Sequence, residues 1–140
     1  MIKKWFLLVG CLSFMILLVA CKENINEFKK QYYEGKSEHW RIQLDVENDS
    51  ERQYKISYIG TGKRPPIFNY EIYDEPGSNL VLNAGEGDLE KQEEFWISIT
   101  CGGSCTPPLP SKIKSKIQWE GKTEELVMKQ MKKTSNKIGN

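Results

Sequence analysis

From residue 40 onward apolar side chains return at every second position, and no other feature of the chain restricts its fold as much. Trp40, Ile42, Leu44 and Val46 alternate with Arg41, Gln43, Asp45 and Glu47, so an extended backbone here has one apolar and one charged face. Asn48-Asp49-Ser50 supplies turn chemistry. Tyr54, Ile56 and Tyr58 then share a face opposite Lys55 and Ser57, up to Gly60-Thr61-Gly62, and the two runs form a predicted hairpin. Pro65 and Pro66 cannot donate to a ladder and mark the edge of the next segment, in which Phe68, Tyr70 and Ile72 alternate with Asn69 and Glu71.

The pattern weakens and then recovers. Residues 79–83 read as a short apolar strand, and the Gly- and acid-rich stretch 84–93 as a loop. Phe95, Ile97, Ile99 and Cys101 share one face. Ile113, Ile117 and Trp119 share another, and Leu126 and Met128 return beside them after Glu120-Gly121, where Gly121 takes the positive φ of a tight connection without steric cost. Parallel strands buried on both sides would read as continuous apolar runs, whereas nearly every run here has one wet face. The expectation is an all-β fold, an antiparallel immunoglobulin-like β-sandwich of about seven strands. It occupies residues 37–130 as one domain, after an N-terminal signal helix and a tether. A small closed barrel is the alternative.

The start of the chain has a different character. Met1-Ile2-Lys3-Lys4 is basic, residues 5–20 are apolar, and Leu18-Val19-Ala20-Cys21 closes the run. It is shorter than the roughly 20 residues a spanning helix needs, and a basic start with a small residue before a cut site is the pattern of an export signal. These residues resemble the lipobox of bacterial lipoprotein signal peptides. The resemblance implies removal of residues 1–20, a diacylglyceryl group on Cys21 and a protein held on the extracytoplasmic face of the cell membrane; two acyl chains give lasting attachment where one binds reversibly. An uncleaved signal anchor is the alternative. Residues 21–36 read as the lipid-anchored tether, with Ile25, Phe28 and Tyr32 at helical spacing, and residues 131–140 as a basic tail carrying Lys132, Lys133 and Lys137. Such a tail beside a membrane invites contact with anionic lipid or wall polymer.

The formal net charge is +1, and loss of Lys3 and Lys4 with the leader lowers it by two, to −1. So even a balance argues against a nucleic-acid partner, which requires a concentrated basic face.

With Cys11 in the leader and Cys21 taken by lipid, Cys101 and Cys105 remain. In an exported chain such a pair points to a disulfide, and Gly102-Gly103 lets the backbone fold tightly enough to form it. A second reading stays open. C-x-x-x-C offers two soft thiolates suited to Cu(I) or Zn²⁺, with His39, the sole histidine, as a third metal ligand. This spacing is similar to that of the Sco copper-delivery proteins; the likeness covers those five residues and a histidine, and the helices of the Sco thioredoxin fold have no counterpart in this pattern. No nucleophile motif surrounds any serine, His39 is the one candidate base, and Glu93-Glu94 and Glu124-Glu125 read as solvated strand edges. The chain is expected not to be an enzyme, and no catalytic residue or bound cofactor is assigned.

Trp40 and Trp119 fall in apolar registers and are expected in the core. Trp96 instead shares a face with Ser98 and Thr100, away from Phe95 and Ile97, which makes it a candidate partner surface. As a whole the chain resembles small uncharacterised lipoproteins of Bacillus-type Gram-positive bacteria. The likeness is carried by the lipobox, the charged tether, Tyr33-Glu34-Gly35-Lys36-Ser37-Glu38-His39-Trp40 and the hairpin Ile117-Gln118-Trp119-Glu120-Gly121-Lys122-Thr123. It implies an outer-face membrane anchor with an immunoglobulin-like domain and brings no activity with it. The expected function is therefore a non-catalytic binding or structural lipoprotein, with the membrane and an envelope protein or wall polymer as partners. Copper handling through Cys101, Cys105 and His39 is the alternative. Cys21→Ala is expected to abolish incorporation of a radiolabelled fatty acid, and labelling that persists would mean that the leader has been misread.

Overall fold

The computed structural model describes residues 28–103, 105 and 108–132. The lipobox with Cys21, the first part of the tether and the tail from 133 onward lie outside the described residues. Within them the chain forms eight strands and no helix: β1 (Gln31–Lys36), β2 (Trp40–Val46), β3 (Glu51–Tyr58), β4 (Ile67–Tyr73), β5 (Val81–Asp88), β6 (Glu94–Thr100), β7 (Lys112–Trp119) and β8 (Lys122–Met131). All belong to one antiparallel sheet in the order β5-β4-β7-β8-β1-β2-β3-β6.

The sheet is rolled until its two edges nearly meet. Trp40 of β2 stands four places from β4 in the strand order, yet its ring centroid lies 4.7 Å from that of Phe68. Phe95 of edge strand β6 reaches Phe68 at 5.6 Å and Tyr70 at 5.9 Å, on the strand beside the opposite edge. The alternation read from the sequence supplies the inner face: Trp40, Ile42, Leu44 and Val46 from β2, Phe68, Tyr70 and Ile72 from β4, and Ile113, Ile117, Trp119, Leu126 and Met128 from the last hairpin are all buried. That hairpin turns on Glu120 and Gly121, both with positive φ, 44° and 75°, the combination that a two-residue type I′ connection demands.

The strands number eight in one continuous sheet, where about seven in two sheets were expected. β1 adds the eighth strand, and β5 runs further than expected. The second half of the tether is β1: Tyr33 is only 1% exposed, and β1 lies between β2 and β8, so its ladders join the first and second halves of the chain into a single sheet. The helical spacing of Phe28 and Tyr32 is not used. The stretch 84–93, expected to be a loop, supplies most of β5 up to Asp88.

β5 lacks apolar alternation because two of its inward positions are glycines covered by its neighbour. Gly85 pairs with Tyr70 and Gly87 with Phe68. A Cβ on Gly85 would stand 2.9 Å from the Tyr70 hydroxyl, and one on Gly87 would overlap the Phe68 ring. Aromatic rings of β4 thus lie across the bare backbone of β5, a known remedy for glycine at a sheet edge. Gly87→Ala must displace a fully buried ring that also packs on Trp40 and Phe95, and overpacking of that kind costs about 1–3 kcal/mol. A matching fall in the urea midpoint is expected. Gly102→Ala, where a Cβ meets nothing within 4 Å, should leave the midpoint unmoved, and equal effects of the two substitutions would sink this account.

Candidate functional site

The rolled sheet has two rims, and the sequence-predicted metal ligands are divided between them. Cys101 and Cys105 form a disulfide, with Cα atoms 5.3 Å apart. Their loop is tied to the β2–β3 turn by hydrogen bonds from Cys101 N–H to Ser50 O (2.8 Å) and from Cys105 N–H to Asp49 O (2.5 Å). The Arg52 guanidinium donates to Cys105 O at 3.0 Å. His39 precedes β2, at the opposite end of that strand. Six residues of extended chain separate Trp40 from Val46, which places His39 roughly 20 Å from the cysteines. The copper-ligand set of Cys101, Cys105 and His39 is therefore not assembled, and its two sulfurs are bonded to each other.

Trp96 lies midway along the outer face of β6 and is 50% exposed. Its registered neighbour on β3 is Lys55, whose ammonium stands 5.3 Å from the ring centroid and 3.3 Å from Glu94 Oε1. The cation is thus shared between a carboxylate and an aromatic face.

The densest group of functional side chains is at the far rim, around His39. The turn between β1 and β2 carries Ser37, Glu38 and His39; the last hairpin contributes Trp119 and Glu124; the end of β3 contributes Tyr58. Glu124 Oε1 accepts from His39 Nδ1 at 2.5 Å, and Oε2 accepts from Ser37 Oγ at 2.5 Å and from the His39 backbone N–H at 3.1 Å. Because a carboxylate only accepts, Nδ1 is the protonated ring nitrogen. The imidazole is flanked by Tyr58 at 6.0 Å, stacked at 29°, and by Trp119 at 5.6 Å. Burial pushes the Glu124 carboxyl up, but hydrogen bonds from Ser37, the His39 ring and the His39 backbone outweigh it and hold the group below the usual carboxylate range.

Such geometry constrains the chemistry. A histidine with a carboxylate on Nδ1 is two-thirds of a nucleophilic relay, but the hydroxyl in the cluster bonds the carboxylate rather than the imidazole, so Ser37 is not placed to be activated. Glu38, His39 and Glu124 bring one ligand atom each within 4.8 Å of one another. Both Glu124 oxygens already accept hydrogen bonds within the rim, and a cation there would have to displace them. What the arrangement does as it stands is fasten the β1–β2 turn to the β7–β8 hairpin.

Sequence reading put Glu124-Glu125 together as a solvated pair, and the two part company in the structure. Glu125 is exposed and pairs with Lys114 at 2.9 Å, whereas Glu124 has the inward parity of Leu126 and Met128, both buried. That parity was the available signal. No family model, curated protein or solved structure matches the chain.

The linkage sign for Glu124 follows from its lowered pKa. The group stabilises the fold at pH values above the ordinary carboxylate range, and that contribution is lost as pH falls through the lowered value. Hydrogen bonds to a charged acceptor contribute about 1.5–3 kcal/mol, so Glu124→Gln should lower unfolding free energy by about that amount at neutral pH. The gap from the native protein should narrow in acid. A gap independent of pH would remove Glu124 from this role.

Proposed function

We propose that the protein is a lipid-anchored, extracytoplasmic module that recognises a partner through its outer surface and performs no catalysis. The observation that carries this reading is Trp96, a half-exposed indole on an edge strand with Lys55 against its ring. An aromatic body with a neighbouring cation is the composition that anchors protein or sugar partners. The interior points the same way. An eight-stranded barrel either fills its lumen with side chains or keeps it for a ligand, and here Trp40, Tyr33, Tyr54 and Phe68 occupy it, each fully buried.

The immunoglobulin-like comparison belongs with this reading. The half-sheets β5-β4-β7-β8 and β1-β2-β3-β6 face each other through Trp40, Phe68 and Trp119, as two sheets of a sandwich do, while the β8–β1 ladder keeps them one sheet. An envelope protein or wall polymer is the proposed partner class. No observation favours copper handling, which would need free thiols and a ligand set closer than the structure provides.

A photo-crosslinking residue introduced at position 96 is expected to capture a discrete envelope component in intact cells, and the same residue at exposed position 86 of β5 is not. Identical adducts from both positions, or none from 96, would remove Trp96 from recognition.

A further inference from the structure

Both chain ends leave the sheet at one rim, the one that also carries the disulfide. β1 begins there and β8 ends there, with Tyr32 opposite Met131 and Glu34 opposite Lys129. Met131 is 49% exposed and Phe28, just before β1, is 38% exposed. Phe28 lies beside Asp49, Arg52 and Cys105, and Lys30 is paired with Glu47, but other lysines of this rim are not so engaged. Lys112 and Lys129 lie directly opposite each other on the outer face of the β7–β8 ladder, and Lys29 and Lys132 flank the strand ends. Like charges facing across a ladder destabilise it, and among the described residues none of these four lysines forms an ion pair. Glu34, the one carboxylate registered beside Lys129, is instead bound by Lys36 at 2.9 Å, Gln43 at 2.9 Å and Tyr32 at 3.0 Å. The turns on either side are acidic, with Asp49 and Glu51 in one and Asp74 and Glu75 in the other, so the positive sector is bounded.

We infer that this sector docks the domain flat on an anionic lipid bilayer: Phe28 and Met131 enter the interface, and Lys29, Lys112, Lys129 and Lys132 meet lipid phosphates. The bilayer is the occupant that fits, because apolar tips at the same rim as lysines that form no ion pair match an apolar layer beneath anionic headgroups. The inference rests on the lipid-anchored reading, under which Cys21, seven residues before Phe28, holds this rim within at most about 25 Å of the membrane.

The test uses the unlipidated chain from Lys22 onward, which contains every strand and every core residue described. Co-sedimentation with vesicles containing phosphatidylglycerol is expected, falling as salt is raised, with little on pure phosphatidylcholine. Each lysine near such a surface contributes about 1 kcal/mol, a factor of roughly 5 in partitioning, so Lys112→Gln/Lys129→Gln should weaken binding at least tenfold. Its urea midpoint should hold or rise, since a like-charge pair is relieved, while Phe28→Ser/Met131→Ser should weaken binding independently. Lys63→Gln/Lys91→Gln, on the opposite rim, should change nothing. Retained binding in the Lys112/Lys129 variant, equal binding to both vesicle types, or equally tight binding to soluble poly(glycerol phosphate) would each overturn the inference. Fatty-acid labelling at Cys21 is a separate readout, so failure of the anchor and failure of the docking face are told apart.

Discussion

The rolled sheet depends on Trp40. Its indole is completely buried and touches Tyr58 at 5.3 Å, Phe68 at 4.7 Å and Trp119 at 5.5 Å, rings from three other strands, two of them in the opposite half of the sheet. Among the described residues the Trp40 indole N–H finds no partner, a penalty of about 1–3 kcal/mol. Removing a buried tryptophan from a core costs about 3–5 kcal/mol, so packing outweighs the orphaned donor and the ring stays inside. Phe95 extends the same aromatic cluster to Phe68 and Tyr70. Where the edges β5 and β6 share no hydrogen-bonded ladder, side chains perform the closure. The glycines of β5 permit it, because any larger residue would lift β4's rings out of reach of β6.

The two rims divide the labour of holding the roll together. At one, a carboxylate with three hydrogen-bond donors fixes the first turn to the last hairpin. At the other, a short disulfide loop is laced to the β2–β3 turn by two backbone hydrogen bonds and an arginine. Each device joins segments remote in sequence. A domain this small buries only about three-fifths of its unfolded surface, and such local fastenings carry weight there. The outer face between the rims is a lattice of ion pairs, including Lys116 with Glu71 at 2.6 Å and Lys55 with Glu94, against which the unpaired lysines near the chain ends stand apart.

Much of this was legible from alternation alone. The apolar inward residues of β2, β3, β4, β7 and β8 follow from a period of two, because each of those strands has one wet and one dry face. β1 escaped because its inward positions are Tyr33 and Gly35, a single large side chain followed by none, in a segment otherwise polar. The second half of β5 escaped for the reason given by Gly85 and Gly87: its core contribution is backbone, and the apolar mass that covers it belongs to β4. The cluster at His39 was half visible. Histidine and Glu124 stand 85 residues apart in sequence, and only the strand order β7-β8-β1-β2 brings their strands within two places of each other. No local pattern encodes a neighbour relation of that kind.

β1 is not an edge strand. It is paired on one side with β2 along its whole length and on the other with β8, and the chain segment that precedes it continues from its first residue. A pull on that segment would run along β1 and load both ladders in shear at once, so many hydrogen bonds would resist together instead of peeling one by one. The fold has placed this strand near the middle of the sheet, where mechanical failure requires two seams to slip together.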